Sequence, residues 1–159
     1  MYLIHRVRVA TAETINIALA DLDLNGTLSM LLEVLYELGE TSAAELARNC
    51  LVTRQALTAP LNELERRGLV HRPEPSTAVR VRPITLTAAG RELAETARRR
   101  VREAERRSIA SFPPDDLARF RGLLARHAAA WEDLARDGGP PGDRPHWPAE
   151  KRGISVDTH

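Results

Sequence analysis

The stretch from Thr41 to Gly90 admits very few folds, because its polar and apolar residues alternate between two kinds of spacing. Ser42-Ala43-Ala44-Glu45 is a capping box: a Ser hydroxyl and a Glu three residues later can each satisfy the other's free amide. It predicts a short helix to about Asn49, with Leu46 inward and Ala43 and Ala47 small enough for close packing. Cys50-Leu51-Val52 makes a turn, and Thr53 caps a second helix that points Leu57, Leu61 and Leu64 inward. Gly68, after Glu65-Arg66-Arg67, is a natural helix stop. Residues 69–72 and 80–86 can then pair as strands, with Pro73, Pro75 and Ser76 in the loop between them. Pro83 offers no amide to a ladder and restricts its position to a sheet edge. Thr87 caps a long helix reaching about Ala110. The order is that of a helix-turn-helix running into a β-wing, a device for putting one helix into a DNA groove and a hairpin against the neighbouring backbone.

The flanks are helical. Ile4, Val7, Thr11, Ile15, Ala18 and Leu22 recur at helical spacing over residues 2–22, and Asp21-Leu22-Asp23 breaks the pattern. Asn25 can cap a helix lined by Leu28, Leu31, Leu32, Leu35 and Leu38 and ended by Gly39. Pro113-Pro114 interrupts the long helix. A last helix over about 115–136 carries Leu117, Phe120, Leu124, Trp131 and Leu134 on one side. The Gly- and Pro-rich residues 138–159 lack periodicity and read as a flexible tail. The chain therefore divides into an N-terminal helix (1–24), a winged lobe (25–87), C-terminal helices (88–136) and a tail (137–159). With 43% hydrophobic but only 4% aromatic residues, the core is built from Leu, Ala and Val, and the fold class is mainly α with a small β-wing.

Other functions find little support. Cys50 is the one cysteine, so no internal disulfide or Cys-based metal cluster can form. The sequence has no HExxH, phosphate-cradling Gly loop or G-x-S-x-G, so no enzyme, metal or cofactor is expected. Asp115-Asp116 reads as a helix first turn stabilised by the dipole. No apolar run reaches about 18 residues, which predicts a soluble, cytoplasmic protein without a membrane partner. Lys151 is the sole lysine, an Arg bias ascribed to genome composition.

ELARNCLVTRQALTAPLNELERRGLV together with ITLTAAGREL resembles the MarR family of winged helix-turn-helix transcriptional regulators, over roughly residues 2–136. The resemblance implies a homodimer in which helices 2–22, 88–110 and 115–136 interdigitate with the partner's. The apolar stripes at both ends of the chain argue the same way, since such faces are unstable if left exposed. A dimer sets two recognition helices about 34 Å apart, so double-stranded DNA with a pseudo-palindromic site is the expected partner. The family's small aromatic or anionic effectors, which usually release DNA, imply a ligand cleft between the lobes that His5 could edge. The sequence departs from the pattern at four places. Leu51 stands where the turn usually has Gly, which predicts a different turn geometry; Ala59 replaces a frequent Arg; Pro60 predicts a kink in the recognition helix; and Ser76-Thr77-Ala78 replaces an Asp-rich wing tip.

The outward face of the recognition helix holds Arg54, Gln55, Thr58, Ala59 and Asn62. Arg can read guanine, Gln and Asn adenine, and Thr a thymine methyl or phosphate. Thr53 can add a phosphate contact beside the free helix amides. By resemblance Arg80 is the wing Arg that enters the minor groove, Arg82 shares its strand face, and Arg72 is a phosphate candidate. Residues 1–90 nevertheless hold nine Arg against ten Asp and Glu, so binding would rest on a few placed arginines. That balance, with Ala59 and Pro60, supports an alternative: a winged-helix interaction module that has lost DNA binding. On the long helix, Glu95 before Arg99 and Glu103 before Arg107 predict i,i+4 ion pairs on a solvated face. Cys50, four residues after Leu46, reads as a core residue rather than a redox switch, and His127 as a hydrogen-bonded residue of the apolar stripe.

Overall fold

Every helix start marked by a polar cap forms where the cap stands. In the computed structural model, which describes residues 2–72 and 83–137 with side chains to residue 134, α1 spans Tyr2–Leu19 and a 3-10 turn follows at Ala20–Leu22. Asn25 Oδ1 accepts from the amide of Leu28 and opens α2, Gly26–Leu38. Ser42 Oγ accepts from the Glu45 amide at the start of α3, Ala43–Asn49. Thr53 Oγ1 does the same for the Ala56 amide and α4, Arg54–Arg66. Thr87 caps α5, Ala88–Ser108, through the Gly90 amide. Pro114 sits at the first position of α6, Pro114–Asp137, where its missing N–H removes no helical bond.

The core sits under the helix-turn-helix. Leu31, Leu32 and Leu35 of α2, Leu46 of α3, and Leu57 and Leu64 of α4 are fully buried together with Leu19 and Ile84. Cys50 is buried among them, as expected of a small apolar residue. α2 is the hub: it meets α1, α3 and α4, and packs most extensively on α5, which also carries α1. Among the described residues α6 barely touches the rest of its own chain, apart from the Phe112–Phe120 ring pair, 5.4 Å apart, near its start.

One pairing at the wing differs from the expectation. Strand β1 is Val70–His71 and β2 is Thr85–Leu86, antiparallel with Val70 opposite Leu86 and His71 opposite Thr85. Of the expected strand 80–86, residues 80–82 lie outside the described residues, and Thr85 and Leu86 pair with β1. Ile84 instead bridges to Thr41, exchanging both backbone hydrogen bonds at 3.2 and 2.7 Å. This ties the start of the helix-turn-helix to the wing root. The loop residues Pro73, Pro75, Ser76, Thr77 and Ala78 lie outside the described residues.

The turn before α4 keeps a left-handed residue although it lacks glycine: Leu51 has φ 54°. The chain therefore bears the steric penalty that glycine would avoid, about 1–2 kcal/mol for a residue with a Cβ. Adjacent bonds hold it there, with the Leu51 amide on Arg48 O at 3.2 Å and the Val52 amide on Ala47 O at 3.1 Å. A β-branched residue tolerates this region worst and Asn tolerates it well. Leu51→Val should therefore be less stable than Leu51→Asn by about 1 kcal/mol, despite Val's apolar side chain, when the two are compared by urea unfolding. Equal stability, or Val ahead, would contradict the strain.

α4 runs unbroken across Pro60. The proline forfeits the bond to the Ala56 carbonyl at a cost of about 3 kcal/mol. Leu57, Leu61 and Leu64 of the same helix, all but fully buried, each contribute roughly 1.5–3 kcal/mol and outweigh it.

Candidate nucleic-acid interface

With those leucines turned inward, Arg54, Gln55, Thr58, Ala59 and Asn62 are exposed on the other side of α4. Thr53 sits at the helix mouth; its oxygen accepts from Ala56, which leaves its hydroxyl proton available to a phosphate. Thr58 donates its hydroxyl to Arg54 O at 3.3 Å and so offers a methyl group and lone pairs outward. Arg54 and Gln55 occupy the first turn, where the unpaired amides and the helix dipole favour an anion. The structure thus brings Thr53, Arg54, Gln55, Thr58 and Asn62 to one surface.

Arg72 is engaged within the protein. Its Nε donates to Glu65 Oε2 at 2.8 Å, its Nη2 also reaches that carboxylate, and Nη2 donates to Asn62 Oδ1 at 2.8 Å. Hydrogen bonding from Arg72 holds the Glu65 carboxyl below the usual carboxylate range. Arg80 and Arg82 lie outside the described residues. Glu63, the other acid on α4, is taken by Arg66 at 2.7 Å, so both carboxylates that would repel a phosphate are paired.

The junction between this lobe and α5 is tightly knotted. Thr87 Oγ1 donates to Gly68 O at 2.7 Å while accepting from the Gly90 amide at 3.0 Å, and the Thr87 amide donates to Leu69 O at 3.1 Å. Gly90 lies directly on the Leu69 backbone. Arg67, at the end of α4, donates to Asp23 O and Leu22 O at 2.6 and 3.2 Å. From α5, Arg100 pairs with Asp21 and donates to Ala18 O at 3.1 Å. The 3-10 turn is therefore held from both sides, by the recognition helix and by α5. The Arg100 hydrogen bonds hold the Asp21 carboxyl below its usual range.

The basic run on α5 is salt-bridged, but not as its spacing predicts. Arg98 reaches Glu33 at 3.4 Å and Glu37 at 3.0 Å across to α2, and Glu103 pairs with Arg106 rather than Arg107. Glu95 accepts from Tyr36 Oη at 3.0 Å, and Arg99 donates to Thr96 at 3.4 Å. An exposed i,i+4 pair contributes only about 0.3–0.5 kcal/mol, so a partner on a packed neighbour readily displaces it. Burial pushes the Glu33 carboxyl up, against the opposing charge of Arg98.

Two open clefts border α5. One, about 750 Å³, lies between α1 and α5 and is lined by Ile17, Ala18, Arg99, Arg100 and Arg107 among others. The other, about 330 Å³, has Tyr36, Glu95, Arg98, Arg99 and Arg102 around it. The Tyr36 ring lies 5.3 Å from both the Arg91 and Arg98 guanidinium carbons. Both clefts combine apolar or aromatic surface with guanidinium groups, a chemistry suited to a small aromatic anion. Tyr36 and Arg91 carry no expectation from the sequence, and Arg98 only that of the basic run on the long helix; the lone aromatic residue of α2 is the signal that points to them. His5 is exposed on α1 and lines neither cleft. His127 accepts from Trp131 Nε1 at 3.1 Å along the α6 stripe. Among the described residues no group of His, Cys, Asp and Glu could hold a metal ion, and no helix is long and apolar enough to cross a membrane.

Comparison with known proteins places this geometry. A model of the MarR family matches residues 22–78. HTH-type transcriptional repressor Rv2887 of Mycobacterium tuberculosis is 36% identical over 125 residues, covering 79% of this chain and 90% of the relative. The crystal structure of that protein in complex with DNA matches with a TM-score of 0.64 at 35% identity, over 79% of this chain and 94% of the other. Its complex with p-aminosalicylic acid matches with a TM-score of 0.63 at 36% identity, over 80% and 96% of the two chains.

Proposed function

This chain belongs to the MarR family, and from that premise we propose that it is a homodimeric, ligand-responsive transcriptional repressor. The observation that carries the reading is the exposed polar face of α4, set on a ridge of buried leucines and capped by Thr53. The similar Mycobacterium tuberculosis repressor has been crystallised with DNA. Arg54, Gln55, Thr58 and Asn62 read base edges in the major groove, and Thr53 contacts a phosphate. Arg80, by the family pattern, and Arg82, by its two-residue spacing from Arg80, contact the minor groove from the wing. Two such lobes on a dimer read a pseudo-palindromic operator.

The same relative has been crystallised with p-aminosalicylic acid. A small aromatic anion therefore suits the arginine-bordered clefts as effector. It acts only by favouring the arrangement of the dimer that does not fit DNA. The protein is a regulator, with no catalytic role assigned.

Titrating a labelled duplex from the DNA upstream of its own gene tests the reading. Arg54→Ala is expected to lower affinity about tenfold or more, because a guanine or phosphate contact is lost twice per dimer. Undiminished binding by Arg54→Ala would remove α4 from the interface.

A further inference from the structure

Asn62 is a polar group of the recognition face whose orientation is dictated by a side chain from outside α4. Its Oδ1 accepts from Arg72 Nη2 at 2.8 Å. A guanidinium has donors only, so it is the amide oxygen, and not the nitrogen, that must face it. Arg72 is in turn fixed by Glu65, one helix turn further along α4, through Nε at 2.8 Å and a second contact from Nη2. Glu65 and Arg72 are both half-buried, so the tether is a supported one. It turns the oxygen end of the amide toward the wing root. The NH2 group has no protein acceptor among the described residues, and Asn62 itself is exposed.

From this geometry we infer that Arg72 is a positioning residue that makes Asn62 a donor-only reader of the major groove, selecting guanine over adenine at one base pair of each half-site. The inference rests on the DNA-binding reading above. A free Asn pairs best with adenine, giving its NH2 to N7 and accepting from N6 with its oxygen. Here a charged donor holds the oxygen toward the wing root, and although that oxygen keeps a second lone pair, the amide cannot turn both ends to one base edge without breaking the Arg72 bond. Guanine offers two adjacent acceptors, N7 and O6, with no donor beside them. Adenine leaves its N6 donor facing an oxygen held by Arg72. The tether also explains why Arg72, a basic residue beside the groove, is turned back into the protein.

Selection of binding sites from a randomised duplex library, followed by titration of the matched guanine and adenine duplexes, tests this. The wild-type dimer should prefer guanine at that position by about tenfold. Arg72→Ala and, independently, Glu65→Gln should erase or reverse that preference while leaving the other positions of the site unchanged. Asn62→Ala should lose discrimination there altogether. A wild-type preference for adenine, or an unchanged profile in Arg72→Ala, would overturn the inference. So would a loss in Arg72→Ala that is uniform across sequences with a shallower salt dependence, the signature of a phosphate contact. Selection of no consensus by the wild-type dimer would overturn the DNA-binding reading itself, and the inference with it.

Discussion

Replacing Gly90 with alanine is expected to destabilise the protein by about 3 kcal/mol or more, the upper range for overpacking against an immobile neighbour. A Cβ at this position would stand 1.9 Å from the Leu69 carbonyl oxygen and 2.8 Å from its carbon. Both are backbone atoms, so no side chain can swing aside. Leu69 is itself held: its amide donates to Leu64 O at 2.9 Å, and its carbonyl accepts from Thr87 at 3.1 Å. Alanine is intrinsically better in a helix by about 1 kcal/mol. That preference has the opposite sign and is too small to win. Relief requires lifting α5 off the wing root, which breaks the Thr87 bonds to Gly68 and Gly90. Thermal unfolding at fixed protein concentration should show a fall of roughly 10 °C for Gly90→Ala. An unchanged or raised midpoint would mean that the close approach of α5 to Leu69 is not maintained in solution.

The second large effect concerns the helices that lack a partner. Leu124, Trp131 and Leu134 of α6 are 52%, 48% and 63% exposed, and Leu3 and Val7 of α1 are 70% and 64% exposed. A 24-residue helix that barely touches the other described elements is not held by packing against them. The family's homodimer supplies the missing surface. Leu124→Asp places a carboxylate in that interface twice per dimer. It should weaken dimerisation on the order of a hundredfold or more, from lost apolar burial and the cost of desolvating the charge. Sedimentation should show monomer at concentrations where the wild type is dimeric. Duplex affinity should fall in parallel, because the two half-site contacts are no longer joined. Arg126→Asp, about half a turn round the same helix, is the control and should leave the dimer intact. A Leu124→Asp protein that remains dimeric would place the interface elsewhere.

What was legible in the sequence was local. The caps Asn25, Ser42, Thr53 and Thr87 act over three residues, and each forms the bond its position predicts. The inward leucines of α4 follow from helical spacing alone, and so does the buried Cys50. What was not legible joins residues far apart in the chain. The bridge from Thr41 to Ile84 needs the whole helix-turn-helix in place before its partners meet. Arg98 and Arg100 of α5 find Glu33, Glu37 and Asp21 on other elements, while the spacing along α5 points to Arg99 and Arg107 as the paired residues. Arg72 shows the same limit at the candidate interface. Its sequence position suits a phosphate contact, yet its nearest partners, Glu65 and Asn62, lie seven and ten residues back on α4. Leu51 marks a different kind of difference. The turn there takes the left-handed backbone that glycine adopts most easily, the bonds on either side hold it, and Leu51 bears the strain.

The most direct test of the central claim, that this dimer recognises DNA through α4 and the wing, is an anisotropy titration at two salt concentrations. The duplex is taken from the DNA upstream of its own gene, and a random duplex is the reference. The account predicts tighter binding to the first duplex, an affinity that falls as salt rises, and loss of that preference in both Arg54→Ala and Arg80→Ala. An intact dimer that binds the two duplexes equally across such upstream sequences would contradict it, and would leave the winged lobe as a surface for protein partners.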